Sequence, residues 1–267
     1  MKSITNHKPN TMKNFKHSIS AIFLFLLPLL CYAQEAPANT QAYWIHEDRV
    51  KPGMSEEYEQ IGKDLVAACK EHNIQDIGWL TLALDDFSYL YVSPIEKFGD
   101  LDKNGFATLS EKMGADKLTA LFSRFDTTYF EHGDYVVYLD KDLSYMPGGV
   151  SQTVEGQNYR TMYYYYVTPD QDKGFMETQQ KIKASFEKHN SKLNYRVYKS
   201  GFGVMGTYYM IAIAAQNEME GARTGDENWK LMKDDFDPLL KELNKHTWKV
   251  DEKRGWIRED LGYNPSN

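Results

Sequence analysis

A histidine and an aspartate stand two residues apart in a strand-forming run, His46 and Asp48 of AYWIHEDRV, and are placed to share a proton. Side chains alternate along a strand, so both fall on the face that carries Trp44 and Val50. Imidazole titrates near neutral pH and a neighbouring carboxylate can fix its tautomer, which is what a proton relay needs. The same pair also fits a solvated rim on which His46 makes an ordinary hydrogen bond.

A second cluster of candidate residues is aromatic. Tyr163-Tyr164-Tyr165-Tyr166 puts rings on both faces of a strand, and the chain has 19 tyrosines. Rings with a hydroxyl suit a pocket for a flat or sugar-like ligand, and they equally fill a half-wet sheet interface. Tyr163 and Tyr165 follow His46 and Asp48 at an offset of 117, and Trp79 is matched to Arg196 at the same offset. One member of that last pair offers a stacking surface and the other a cation.

Other chemistries find no support. There is no His-x-x-x-His, no paired cysteine and no His-carboxylate cluster at ligand spacing, so no metal site is expected. Gly201, Gly203 and Gly206 lie between two strands with no helix after them, which is not a phosphate cradle. No Gly-x-Ser-x-Gly elbow is present. Cys69 falls on an apolar helical stripe and reads as a buried thiol. His72-Asn73 and His189-Asn190 read as helix C-caps: the imidazole meets the negative end of the helix, and asparagine tolerates the left-handed conformation.

Residues 1–33 read as a signal peptide: Lys13 and Lys16 precede an apolar run from Ala21 to Leu30, and Cys31-Tyr32-Ala33 follows. Residues 1–11 fit an upstream extension of that signal. Lipidation at Cys31 is an open alternative, although Leu30 occupies a place where lipoprotein signals carry a small residue. Removing the leader takes away Lys2, Lys8, Lys13 and Lys16 and no acid, which leaves 27 basic against 38 acidic residues and a net charge of −11. That balance, with no basic cluster, argues against nucleic acid or an anionic membrane as partner. The expected location is periplasmic or secreted, with no membrane association once the signal is gone.

The elements that hold these residues come in two similar series. Val50 to Asn73 aligns with Val167 to Asn190 without a gap, and Asp142 to Pro147 is echoed by Asp260 to Pro265. Tyr145 and Tyr263 in those end motifs read as packing closures. The first series is a strand Ala42 to Val50, a helix Ser55 to His72, strands Ile77 to Leu84 and Phe87 to Val92, a helix Phe106 to about Thr127 and a strand Tyr135 to Leu139. The second is its counterpart, with strands Tyr195 to Ser200, Val204 to Ala214 and Lys253 to Ile257 and a last helix Glu227 to His246. The expected organisation is a flexible tether at 34–40, a ferredoxin-like repeat at 41–147, a linker at 148–158 and a second repeat at 159–267. Each four-stranded sheet has two apolar faces and helices for only one, so the repeats should pack sheet against sheet as an intramolecular pseudo-dimer.

With its Val-Lys-Pro-Gly turn at Val50 to Gly53, the acidic aromatic helix after it and the hairpin-helix-strand that follows, this layout resembles the dimeric α/β-barrel superfamily. That group includes antibiotic-biosynthesis-type monooxygenases, NIPSNAP-like proteins and stress-responsive barrel proteins. The resemblance implies an α+β fold, two ferredoxin-like βαββαβ units forming an α/β barrel, and a small organic ligand lined by the first strand and the hairpin. By position it points to Trp44, Trp79, Tyr163, Tyr165 and Arg196 as ligand-binding residues. For an enzyme it implies cofactor-independent oxygenation or isomerisation of an activated aromatic or enolic substrate, with His46 as base, Asp48 orienting it and Tyr163 or Tyr165 steadying an anion. A binding module without turnover uses the same residues only as pocket walls. Relatives that bind haem do so through a histidine on the second helix; here His132 and His246 fall only at helix ends, so no cofactor is expected.

Overall fold

The computed structural model describes residues 39–265. The signal segment, Cys31 and the tether up to residue 38 lie outside them. The first series runs Thr40–Val50 (β1), Ser55–Glu71 (α1), Leu80–Leu84 (β2), Ser88–Ile95 (β3), Ala107–Met113 (α2), Ala115–Ser123 (α3) and Tyr129–Tyr145 (β4). The second runs Tyr159–Val167 (β5), Asp172–Lys188 (α4), Tyr195–Ser200 (β6), Thr207–Ala215 (β7), Glu218–Lys245 (α5) and Lys249–Ile257 (β8). The strands close into one barrel in the order β1-β3-β2-β8-β5-β7-β6-β4, and every neighbouring pair is antiparallel.

Two sheets of like order, β4-β1-β3-β2 and β8-β5-β7-β6, make up this ring, and two seams join them. One seam pairs Leu82 to Leu84 with Gly255 to Ile257, and the other pairs Val137 to Asp140 with Val197 to Ser200. The expected stacking of one sheet on the other is therefore refined. The bare faces do meet, because Ile45, Leu82, Leu90 and Val137 share one apolar cluster with Met162, Tyr164, Tyr198 and Ile257. The sheets are also hydrogen-bonded edge to edge, which leaves no strand among the described residues with an unpaired row of backbone groups.

Outside the barrel, α1 to α3 cover the first sheet through Tyr58, Ile61, Leu65, Cys69, Leu109 and Leu121. Phe175, Ile182, Phe186, Met232 and Leu243 of α4 and α5 cover the second. The apolar stripe read from α1 is thus its packing face, and Cys69 is fully buried. His72 and His189 occupy C-cap positions, with Asn73 and Asn190 left-handed at φ 46° and 50°. Tyr263 closes the first half by donating to the Ile74 carbonyl at 2.6 Å, and Tyr145 closes the second by donating to that of Ser191 at 3.0 Å.

Two helices depart from their expected spans. The one expected over Phe106 to Thr127 breaks at Gly114, whose φ of 99° suits glycine and ends α2. The last helix starts nine residues early, because the Asn217 side chain caps it by accepting from the Glu220 N–H at 2.9 Å. Gly221 and Gly225 follow in its first turns, and their poor helical propensity masks that start in the sequence.

Candidate functional site

Three strands and one helix bring a chain of polar groups together at His46. In the barrel register His46 stands between Tyr91 on β3 and Asp134 on β4, and Asp48 stands opposite His132 on β4. His46 Nδ1 lies 3.0 Å from Asp134 Oδ1, which also accepts from the Trp44 indole N–H at 3.0 Å. On the other side His46 Nε2 lies 3.2 Å from Asp48 Oδ1, an ion-pair contact without hydrogen-bond alignment. Tyr58 sits one turn into α1 on its buried face, where it donates to Asp48 Oδ2 at 2.6 Å and shares a hydrogen bond with the Tyr91 hydroxyl at 2.8 Å.

Exposure falls steeply along this chain: 53 % for the Asp134 side chain, 29 % for His46 and 7 % for Asp48. The chain therefore leads from solvent into the interface between sheet and helix. Burial by itself would lower the His46 pKa, but the Asp48 carboxylate beside Nε2 and then Asp134 outweigh it and raise the value to about 9. His46 is thus held as an imidazolium at neutral pH, with an acid at each ring nitrogen. Burial first, then the Tyr91 hydroxyl and the Asp48 charge hold the Tyr58 phenol far above its ordinary value, so it stays protonated.

The fold also assembles what the sequence spacing did not reveal. His132 belongs to β4 rather than to a helix end, and its ring lies 5.8 Å from that of His46. His46, Asp48 and His132 offer ligand atoms within 4.8 Å of one another, a group that could hold a cation, against the expectation that no such cluster exists. A cation would first have to displace the proton that Asp48 and Asp134 hold on His46.

The second half fills the same positions differently. Tyr163 and Tyr165 replace His46 and Asp48, Phe175 replaces Tyr58, and Ile211 stands opposite Tyr163 as Tyr91 stands opposite His46. Tyr165 packs on Phe175 with ring centroids 5.7 Å apart. Since β5 lies across the barrel from β1, Tyr163 and Tyr165 are not brought to His46. The second half keeps an acid, Glu252, opposite Tyr163 as Asp134 stands opposite His46, but it has apolar and phenolic groups in place of His46, Asp48, Tyr58 and Tyr91, so the buried charged pair is not a demand of the architecture. Replacing Tyr58 by Phe is expected to destabilise the protein by about 1 to 3 kcal/mol, because it removes a donor from the buried Asp48 carboxylate; urea unfolding measures it.

Trp79 and Arg196 are not equivalent, which corrects their alignment. Trp79 bridges to Tyr263 as Tyr195 pairs with Tyr145, so the second series is one residue shorter here and alternate side chains exchange faces. Trp79 faces the helices, where its indole donates to the Leu261 carbonyl at 2.8 Å and its ring packs near Phe106 and Tyr263. Arg196 points into the barrel instead. That interior is largely filled, with a cavity of about 50 Å³ lined by Tyr135, Tyr164, Tyr198 and Tyr208 among others. A larger groove of about 300 Å³ lies at the mouth near Glu47, His132 and Tyr166.

No protein-family model matches the sequence. No curated protein matches it either. Solved structures do resemble the fold. An anthrone oxidase-like protein superposes with a TM-score of 0.56 at 10 % identity, over 85 % of this chain and 94 % of that one. A candidate monooxygenase from Lactobacillus acidophilus NCFM gives 0.52 at 9 % identity over 85 % and 97 %. Another, from Fusobacterium nucleatum subsp. nucleatum, gives 0.50 at 13 % identity over 82 % and 93 %. Likeness at this identity establishes the fold, an α+β barrel of ferredoxin-like order, and not the activity.

Proposed function

We propose that this chain is an exported small-molecule-binding barrel, built by tandem duplication of one ferredoxin-like unit, whose working site lies at His46 in the first half. The observation that carries the reading is the chain Asp134–His46–Asp48–Tyr58–Tyr91, of which the counterpart half keeps only an acid, Glu252, and has Tyr163, Tyr165, Phe175 and Ile211 in the other places. A buried carboxylate with a charged partner costs desolvation that an apolar packing avoids, so such a chain in one half alone suits a site better than a scaffold. The tandem origin is supported by the constant offset of 117 between α1 and α4 and by the repeated strand order.

The ligand is a flat, polar organic molecule that stacks on the Trp44 ring beside the His46–Asp134 pair. A second reading, cofactor-independent monooxygenation or isomerisation of an activated aromatic or enolic substrate, is favoured by the proton path. In it the exposed Asp134 hands the proton on, His46 Nδ1 replaces it, and Asp48 with Tyr58 holds the ring in place. The monooxygenase names of the fold neighbours accord with this reading. Export rests on the composition of residues 1–33 alone, and amino-terminal sequencing of the protein recovered from expressing cells should find it starting near Gln34.

Isothermal titration with a panel of hydroxylated aromatic and enolic compounds, alongside oxygen uptake and proton exchange on the same panel, tests the site. Binding that Trp44→Ala weakens at least tenfold is the expected result. Turnover that falls a hundredfold or more in His46→Gln selects the enzyme reading. Binding indifferent to both substitutions contradicts the site.

A further inference from the structure

Two arginines are buried inside the barrel, and neither meets an acid among the described residues. Arg160 on β5 and Arg196 on β6 point inward and are only 4 % and 2 % exposed. Both line the interior cavity, together with Gln152 of the segment that joins β4 to β5. Arg160 donates to the Gln157 and Tyr159 carbonyls through Nη1 and to that of Gln152 through Nη2. Arg196 donates to the Ser151 carbonyl through Nε. Its Nη2 and the Gln152 Nε2 are both buried without a hydrogen-bond partner among the described residues.

Buried charges are normally paired, and an unmade hydrogen bond inside a protein costs the desolvation of its donor. Here the carbonyls of the connector take up some of the guanidinium donors, while nothing among the described residues neutralises the two charges. Burial, and then the charge of Arg196, lower the Arg160 pKa to about 10, so Arg160 stays protonated at neutral pH, and burial lowers that of Arg196 as well. Ala212 stands opposite Arg196 in register and supplies only a methyl group, which leaves space beside the guanidinium. The cavity of about 50 Å³ is otherwise walled by Leu80, Val92, Met162 and other apolar groups and by the four tyrosines named above. It holds donors, two positive charges and room for a few non-hydrogen groups.

We propose that this end of the barrel binds a compact monocarboxylate of roughly two to four carbons, held by Arg160 and Arg196 with Gln152 Nε2 as a further donor, its short apolar body against Leu80 and Met162. The planar guanidinium fork matches a carboxylate, and the small volume excludes a phosphate ester. This site lies inside the barrel, whereas His46 faces the helices, so the two stand or fall separately.

Thermal unfolding and isothermal titration of the mature chain with acetate, propionate and butyrate test it, with sodium chloride at matched ionic strength as reference. A saturable rise in Tm is expected with the carboxylates, roughly 5 °C or more at a hundredfold excess over Kd, and no saturable rise with chloride. Arg196→Met should abolish that rise; if this variant does not fold, Gln152→Leu on the connector should weaken binding about tenfold. Equal responses to chloride and carboxylate, no saturable response to any carboxylate, or binding unchanged in the variant that folds would each overturn the proposal.

Discussion

Replacing His46 by Ala is expected to destabilise the protein by about 3 kcal/mol at pH 7, because it strips the buried Asp48 carboxylate of its cation. Removing one partner of a buried pair costs about 3 to 5 kcal/mol, and the partial exposure of His46 puts this case at the lower end. The pH dependence gives the effect its signature. The folded pKa of His46 is raised from 6.5 to about 9, so its stabilisation is fully present below pH 6.5, drains away between 6.5 and 9, and is gone above. Wild-type stability should therefore fall across that window while the variant stays nearly level. Urea midpoints taken from pH 6 to pH 10 measure both, and the double replacement His46→Ala with Asp48→Ala should recover part of the loss. Parallel pH profiles for wild type and variant would show that His46 carries no such charge.

The second large effect is expected at a seam. Gly255 on β8 pairs with Leu84 on β2, and a Cβ there would lie 2.4 Å from the Ala83 carbonyl oxygen and 3.0 Å from Leu84 Cα. These are backbone atoms, so Gly255→Val must push β2 and β8 apart. The seam has three paired positions, too few to absorb the shift. A loss of about 3 to 5 kcal/mol is expected, as for severe overpacking. Gly133→Ala on β4, where an added Cβ meets nothing within 4 Å, is the matched control and should change stability by less than about 1 kcal/mol. Equal unfolding midpoints for the two variants would mean that closure at this edge contributes little.

Much of the architecture was legible because it depends on local patterns. The stripe of Tyr58, Ile61, Leu65 and Cys69 marked the buried face of α1, and the 117-residue offset set both ends of α4. The histidine-asparagine caps could be read for the same reason, since a left-handed residue after a helix is a local event. The site was legible only in its first strand. His46 and Asp48 stood out by alternation, but Asp134, Tyr91 and His132 reach them through registers across β3 and β4 that no short motif encodes. The charge state of His46 was hidden with them, because the second acid comes from another strand. Trp79 and Arg196 were mispaired for a related reason: a one-residue length difference before β6 reverses every side chain after it.

One acid above and one below the same imidazole is the feature on which the functional account rests. A nitrogen-15 NMR titration of His46, assigned with a His46→Gln variant, reads it directly. The account predicts an imidazolium that persists to a midpoint of about pH 9. A midpoint at or below the ordinary histidine value of about 6.5 would contradict it.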